Sequence, residues 1–416
     1  MHIVFVTTEL ATSENSSGGL ASFTANISRI FAQKGHKVTI LLSAVKEENL
    51  KFDNNITLES AYVKKEIWDK FDKVATCISK FCKEDKDEIR RLFVNYYKSK
   101  QVKKKIIEIN QKNKIDIIHY CSLGFVALKA NKKIPYIIRI SSFMNICRGA
   151  NNSKYELGYM QNPPTIKEKL VNYTLKKSKY IVSPSEMLAN IAKEKFNINA
   201  EVIESPFVLN RNNWNYDCYN NVARGRKYII HYGRLSYLKG THIVAELVRE
   251  FLNKYPEISI ILAGDCENLL DERGKEIKAY ELIINNAEQY ADRVIYVGKL
   301  VREQLYPLLE GAELCLLPSR IENLSNACIE AMAMGKIVVA TNGASYEQLI
   351  EDRVSGFLCE RDNAESFMRG IDEALVLNND EKEQMIENAV ERMKQLSPEI
   401  IYEKYLNYYK RVIVEW

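Results

Sequence analysis

The sequence predicts an α/β chain of two doubly wound, Rossmann-like domains facing a central cleft, and three observations carry that prediction. Short apolar, β-branched runs alternate with amphipathic stretches along the chain, the pattern of parallel strands joined by helices. The 416 residues, 46% of them hydrophobic, are too many for one ordinary core and too apolar for disorder. A polar, Asn-rich interval without periodicity, PFVLNRNNWNYDCYNNVARG, parts the alternation into two halves and reads as a linker or hinge.

In order along the first half, HIVFVTT, KVTILLS, DIIHYC, PYIIRIS and KYIVSPS read as strands, with a helix over residues 20–33. In the second half KYIIHYG, ISIILAGD, RVIYVG, ELCLLPS, KIVVAT and SGFLCE repeat the pattern, with helices over 241–253 and 327–334. The expected organisation is a domain over 1–205, a linker over 206–225, a second domain over 226–395 and a terminal helix over 396–416. Sheets of this kind bind ligands outside the carboxyl ends of their strands, so the informative residues should follow strands and line the cleft. No low-complexity tract or short repeat interrupts the chain.

Charge is unevenly spread. Residues 1–205 hold 34 Lys+Arg against 21 Asp+Glu, and residues 206–416 hold 25 against 33, within a net charge of +5. A basic half suits nucleic acid, an anionic membrane surface or an acidic acceptor, and equally an ordinary Lys-rich solvated surface. The stretch DKDEIRRLFVNYYKSKQVKKKIIEINQKNK places Phe93, Tyr96, Tyr97, Val102, Ile106 and Ile107 among many lysines. It reads either as a helix lying on an anionic membrane or as one whose apolar stripe joins the core. Nine scattered cysteines with no C-x-x-C pair suit neither a disulfide framework nor a structural zinc. The opening MHIVFVTTEL lacks a basic start and a long apolar run, so a cytoplasmic location is expected, with peripheral contact at the inner membrane face as an extension of it.

Two sites carry chemistry. In HYGRLSYLKG, Gly233 gives backbone room after a strand, and Arg234 and Lys239 put two cations near a helix start, which suits a diphosphate; the alternative is a solvated loop. In IENLSNACIEAMAMGK, Glu322 follows a strand and Glu330 lies in an apolar helix. Such carboxylates could accept sugar and ribose hydroxyls, while the N–H groups of Leu324, Ser325 and Asn326 face a phosphate. The alternative is a plain cap by Ser325 or Asn326 with Glu330 facing solvent. The one Asp-x-Asp pair, Asp85-Lys86-Asp87, lies in the charged helical stretch rather than at a strand end and reads as surface charge, so no metal site is expected.

The stretch Y-G-R-L-x-x-x-K-G at 232–240, with Glu322, Glu330 and the following AMAMGKIVVAT, resembles the donor-site signature of family-four retaining glycosyltransferases of the GT-B fold. The resemblance covers nearly the whole chain and is strongest over 226–375. It implies an N-terminal acceptor-side domain, a C-terminal nucleotide-sugar domain and a terminal helix that returns to the first. It implies that Arg234 and Lys239 hold the donor diphosphate, Glu330 the ribose and Glu322, with Asn323 beside it, the transferred sugar. Gly298, Lys299 and Leu300 would lie near the nucleobase. Gly18-Gly19-Leu20 looks like the family's glycine-rich loop, although a G-G pair is equally a turn before a helix. His119 matches a family histidine and is otherwise a core residue; the family's second histidine is replaced by Cys121, and a third site reads RISSF with Ser141 and Ser142.

The implied reaction is transfer with retention of a hexose-type sugar from a UDP- or GDP-linked donor to a saccharide, lipid-linked or protein hydroxyl, as in surface polysaccharide or glycoconjugate synthesis. The donor is a substrate, and no cofactor or nucleic acid is expected. The acceptor loop is expected over 142–165. Rivals are a nucleotide-sugar-binding subunit without turnover, an epimerase or synthase on the same fold, and a dinucleotide oxidoreductase, which would need the G-x-G-x-x-G that the sequence lacks.

Overall fold

Each half of the chain builds one parallel sheet in the computed structural model, which describes residues 1–11, 18–44, 52–81, 85–151, 165–209, 211–271 and 273–416. The chain forms two compact units. The first comprises Met1–Asn145, Asn162–Pro206 and Pro398–Trp416, and the second Ile146–Gln161 and Phe207–Ser397.

The first unit holds β1 (His2–Thr7), β2 (Lys37–Ser43), β3 (Ile56–Ala61), β4 (Ile117–Cys121), β5 (Tyr136–Arg139), β6 (Ile181–Ser183) and β7 (Glu201–Val202), in the order β3-β2-β1-β4-β5-β6-β7. β1 and β4 are buried along their whole length and β2 beyond its first residue, which is why their sequences are near-continuous apolar runs rather than alternations. Phe5 on β1 sits opposite Ile40 on β2 and His119 on β4. The helix Gly19–Gln33 lays Leu20, Phe23, Ile27, Ile30 and Phe31 into the core at helical spacing.

The long helix Lys86–Lys112 divides its apolar residues between core and surface. Asp85 is its N-cap, accepting from the N–H groups of Asp87 and Glu88 at 2.7 and 3.1 Å. Asp85 thus caps the helix, and both Asp85 and Asp87 are exposed, as surface charge. Of the apolar residues here Val94, Val102, Ile106 and Ile109 are buried, whereas Tyr96 and Ile107 are exposed, so part of the expected stripe joins the core and part faces outward. The C-terminal helix Pro398–Glu415 completes the unit. Phe31 packs between Tyr402 and Tyr409, with ring centroids 4.9 and 5.4 Å away.

The second unit holds β8 (Lys227–Tyr232), β9 (Ile258–Ala263), a small antiparallel hairpin of β10 (Asn268–Leu270) and β11 (Glu276–Lys278), then β12 (Val294–Tyr296), β13 (Leu314–Leu317), β14 (Ile337–Thr341) and β15 (Phe357–Cys359). Its six-stranded parallel sheet runs β12-β9-β8-β13-β14-β15. The first strand is central and the order reverses between β8 and β13, the place where such sheets open a crevice for ligands. The helix Thr241–Lys254 covers this sheet through Ile243, Val244, Leu247, Val248 and Phe251.

Two boundaries differ from the sequence reading. Most of the interval 206–225 is built into the second unit: Phe207 N–H donates to Leu396 O at 2.9 Å, Asn215 N–H donates to Glu303 O at 2.8 Å, and Asp217–Val222 is helical. Residues 146–151, from the first half of the sequence, also join the second unit, where Leu238 N–H donates to Asn151 Oδ1 at 3.0 Å. Backbone groups in polar, aperiodic segments need partners as much as those in strands do, and here they find them in a packed neighbour. Among the described residues no helix is long and apolar enough to cross a membrane.

Candidate active site

The switch point of the second sheet gathers the sequence-predicted residues from two strand ends. After β8 the chain turns at Gly233 (φ 107°), whose N–H donates to Ala263 O at 2.9 Å. A Cβ on Gly264 (φ 146°) would stand 1.6 Å from Gly233 O, whereas a Cβ on Gly233 itself would meet nothing within 4 Å. One glycine is required by close backbone packing; the other faces open space. Gly240 closes the loop in the left-handed region as the N-cap of Thr241–Lys254, and a side chain there would strike Pro318 O.

Between these glycines stand the two cations. Lys239 Nζ lies 2.5 Å from Glu322 Oε1, so the structure joins the loop after β8 to the loop after β13. Glu322 is further oriented by Ser319 Oγ, which donates to the same oxygen at 2.8 Å, and by Tyr346 OH at 3.1 Å from Ser319 Oγ. Arg234 is exposed and pairs with Glu267 at 3.3 Å, at the far edge of the loop. Both cations thus hold carboxylates that an incoming anion would have to displace or share.

Glu330 is buried, not solvent-facing as the capping alternative had it. Its Oε1 accepts from Arg302 Nε at 3.0 Å and Tyr306 OH at 3.4 Å. Burial raises its carboxyl above the ordinary range, and the Arg302 guanidinium opposes that shift. The other half of the capping alternative stands, since Ser325 is the N-cap of Asn326–Ala333 and accepts from Cys328 N–H at 3.3 Å. The N–H groups that open this helix, Asn326 and its neighbour, have no place in the helix's own ladder. Leu324 and Asn323 lie in the approach to it, and Asn323 O accepts from Ser345 Oγ at 2.8 Å. At the end of β12, Gly298 O accepts from Gly264 N–H at 2.8 Å, and Lys299 pairs with Asp265 at 3.0 Å; Leu300 follows.

Several contributors escaped sequence reasoning. Arg302 and Tyr306, one helical turn apart in REQLYPLLE, could have been found by asking which groups answer a carboxylate in an apolar helix. Arg320 is buried, bonds Asp362 at 2.7 Å through Nε, and ties its own N–H to Leu238 O at 2.9 Å beside Lys239. His231 bonds Leu316 O at 2.9 Å and Thr241 Oγ1 at 3.1 Å. Nothing in the sequence distinguishes these two from ordinary residues.

In the first unit the outcome is different. His119 is buried in an aromatic cluster with Phe5, Phe23, Tyr405 and Tyr409, and its Nδ1 is bonded to Tyr409 OH at 2.6 Å. Burial, with Arg139 nearby, drives its pKa well below the usual histidine range. Its setting is that of the core alternative, with burial disfavouring the charged ring. Cys121 is buried as well, its thiol pushed up to about 11. Gly18 (φ 66°) is the N-cap of the helix that Gly19 begins, and Gly18 O accepts from Ser22 N–H at 3.2 Å. The expected acceptor loop falls mostly on 152–164, outside the described residues. Among the described residues no group of three His, Cys, Asp or Glu is placed to hold a metal.

Comparison with known proteins gives two family matches, one to each half. The family described as glycosyl transferases group 1 matches residues 215–392, and Glycosyltransferase Family 4 matches residues 17–206. An uncharacterised glycosyltransferase of Haemophilus influenzae is 30% identical over 205 residues, covering 48% of this chain and 52% of that protein. A lipopolysaccharide 1,2-N-acetylglucosaminetransferase of Salmonella typhimurium is 23% identical over 41% of this chain and 44% of its own. The chain thus spans about half the length of these curated relatives. Solved structures are similar over the full length: a sucrose-phosphate synthase from Thermosynechococcus elongatus with a TM-score of 0.72 at 15% identity, covering all of both chains, and Anabaena HepE in complex with UDP, with a TM-score of 0.68 at 16% identity, covering 99% and 100%. The fold is that of the GT-B glycosyltransferases.

Proposed function

From the premise that the chain belongs to the group 1 and family 4 glycosyltransferases, we propose that it moves a hexose-type sugar, with retention, from a nucleotide diphosphate to a hydroxyl acceptor in surface polysaccharide or glycoconjugate synthesis. The observation that carries this reading is the Lys239–Glu322 pair, 2.5 Å apart at the switch point of the second sheet. It sets a cation for the departing diphosphate beside a carboxylate for the sugar hydroxyls. Arg234 joins Lys239 on the phosphates once it leaves Glu267, and together they neutralise the charge that grows on the leaving group. In this reading they take the part of a divalent ion, so neither metal nor cofactor is needed. Glu330, fixed by Arg302 and Tyr306, accepts the two ribose hydroxyls. Glu322 and Glu330 answer different partners, which argues against their acting as a hydrolytic carboxylate pair.

The test is a screen of nucleotide sugars, UDP-linked donors first because HepE was solved with UDP. It is scored by nucleotide release with and without EDTA, and by the anomeric configuration of the product. Lys239→Ala should lower the transfer rate by about two to three orders of magnitude while the fold persists, and Glu330→Ala should mainly weaken donor binding. Full activity in both variants would refute the site. Nucleotide binding without release or transfer would reduce the reading to a binding subunit.

A further inference from the structure

We propose that Arg320 is a positioning residue of the donor site: its guanidinium seats residues 146–151 against the loops that carry Lys239 and Glu322, and so fixes the sugar end of the site. The inference rests on the transfer reading above. Arg320 lies on the turn after β13, between Ser319, whose hydroxyl donates to Glu322, and Glu322 itself. It is 4% exposed. Its N–H donates to Leu238 O at 2.9 Å, which joins that turn to the loop after β8 one residue before Lys239. The side chain then reaches three further groups: Nε donates to Asp362 Oδ1 at 2.7 Å, Nη2 stands 3.3 Å from His242 Nε2, and Nη1 donates to Ala150 O at 3.4 Å.

A buried guanidinium that only balanced a carboxylate would need Asp362 alone. Here the planar fork of arginine ties segments far apart in the sequence, and they meet beside Lys239. Ala150 ends the short helix Met144–Ala150, where carbonyls lack partners in the helix itself and a cation is favoured. Asn151 secures the same segment by accepting from Leu238 N–H at 3.0 Å, so both backbone groups of Leu238 are gripped, one by Arg320 and one by Asn151. The segment brings Cys147 to the Lys239–Glu322 pair: the thiol is half-buried, burial pushes it up to about 11, and Lys239 and Glu322 are its charged neighbours. Glu330, Gly298 and Lys299, which the transfer reading puts at the ribose and the base, take their partners elsewhere. Loss of the Arg320 grip therefore disturbs the sugar end and spares the nucleotide end, and a displacement of that kind falls on the chemical step rather than on binding.

Thiol accessibility reads the placement of the segment without any donor. The full chain is alkylated with iodoacetamide and each cysteine is quantified by mass spectrometry, with exposed Cys77 as the reference and buried Cys315 as the check on the fold. Two variants are compared with wild type: Arg320→Lys, which keeps the charge beside Asp362 but not the fork, and Arg320→Met with Asp362→Asn, which leaves neither charge of that pair unpaired. Both should raise the Cys147 rate about tenfold or more, with Cys77 unchanged and Cys315 still unreactive. In nucleotide release from UDP- and GDP-hexoses both should lose about ten- to a hundredfold in kcat, while KM for the donor moves less than about threefold. A wild-type Cys147 rate in both variants, reaction of Cys315, or a raised KM with kcat unchanged overturns the proposal. A wild type that releases no nucleotide from any donor sinks the transfer reading and the donor-site role with it, and is told apart from the other failures by Cys147 rates that still rise in the variants.

Discussion

His231 reaches from β8 in two directions, and its chemistry makes the loop after β8 sensitive to acid. A carbonyl can only accept, so Nδ1 carries the proton toward Leu316 O and Nε2 is left to accept from Thr241 Oγ1. Thr241 Oγ1 in turn accepts from Ser236 N–H at 3.0 Å, three residues before Lys239. The neutral ring satisfies all of these bonds and the imidazolium does not. Burial lowers the pKa from 6.5 to about 4, so as pH falls the unfolded chain takes the proton first. The stabilisation is complete above the unfolded value and is lost as pH falls toward the folded one, by about 3 kcal/mol in all. The advantage of wild type over His231→Gln in urea unfolding should shrink by about 2 kcal/mol between pH 7 and pH 5, and a pH-independent gap would rule this role out. Gly264→Ala gives a different signature, because its Cβ would overlap Gly233 O in a backbone conformation that L residues avoid. It should cost roughly 3 kcal/mol or more at every pH, read from the same unfolding curves.

The C-terminal helix Pro398–Glu415 belongs to the first unit, where Tyr405 and Tyr409 are buried and Tyr409 OH meets His119. Tyr409→Phe removes the partner of His119 Nδ1 and leaves a buried polar atom unmatched, at a cost of about 1–3 kcal/mol. Calorimetry should register this as a transition several degrees lower; a transition at the wild-type temperature would mean that the bond contributes nothing. The strands fared better in the sequence wherever both faces are buried, since a short, unbroken β-branched run suits a strand covered on both sides and little else. β3, ITLESA, escaped because it is an edge strand with half-exposed positions, where Glu59 pairs with Lys105 at 3.1 Å. β7, two residues long, and the polar hairpin β10–β11 offer no periodicity at all. The placement of Glu322 after a strand and of Glu330 in a helix was legible in the sequence, but the burial of Glu330 was not, because its partners come from another helix. His119 shows another limit: a histidine in an apolar run looks the same in sequence whether it faces a substrate or, as here through Nδ1, a tyrosine.

Over the whole molecule, the chain passes between its two units at Asn145/Ile146, Gln161/Asn162, Pro206/Phe207 and Ser397/Pro398. The polar, Asn-rich interval marks the third of these passages. The excursion that begins at Ile146 leaves no such mark, because what places residues 146–151 is a set of contacts with residues far along the sequence: Leu238 N–H to Asn151 Oδ1, and Asn151 Nδ2 to Glu267 Oε2 at 3.1 Å. Glu267 is also the carboxylate that holds Arg234, so one asparagine from the first half of the sequence touches both the backbone beside Lys239 and the partner of Arg234. A diphosphate that draws Arg234 away from Glu267 should therefore be felt in this segment as well as in the loops themselves. Hydrogen exchange of the full chain with and without saturating UDP or GDP reads this directly. Protection is expected around 233–240, 298–300 and 323–330, with a change of rate at 146–151 and none along β1, β2 and β4, whose amides are already locked in a buried sheet. Protection confined to the first unit would move the donor to the other sheet, and protection of the three loops with 146–151 unaltered would remove Asn151 from the coupling while supporting the proposed donor site.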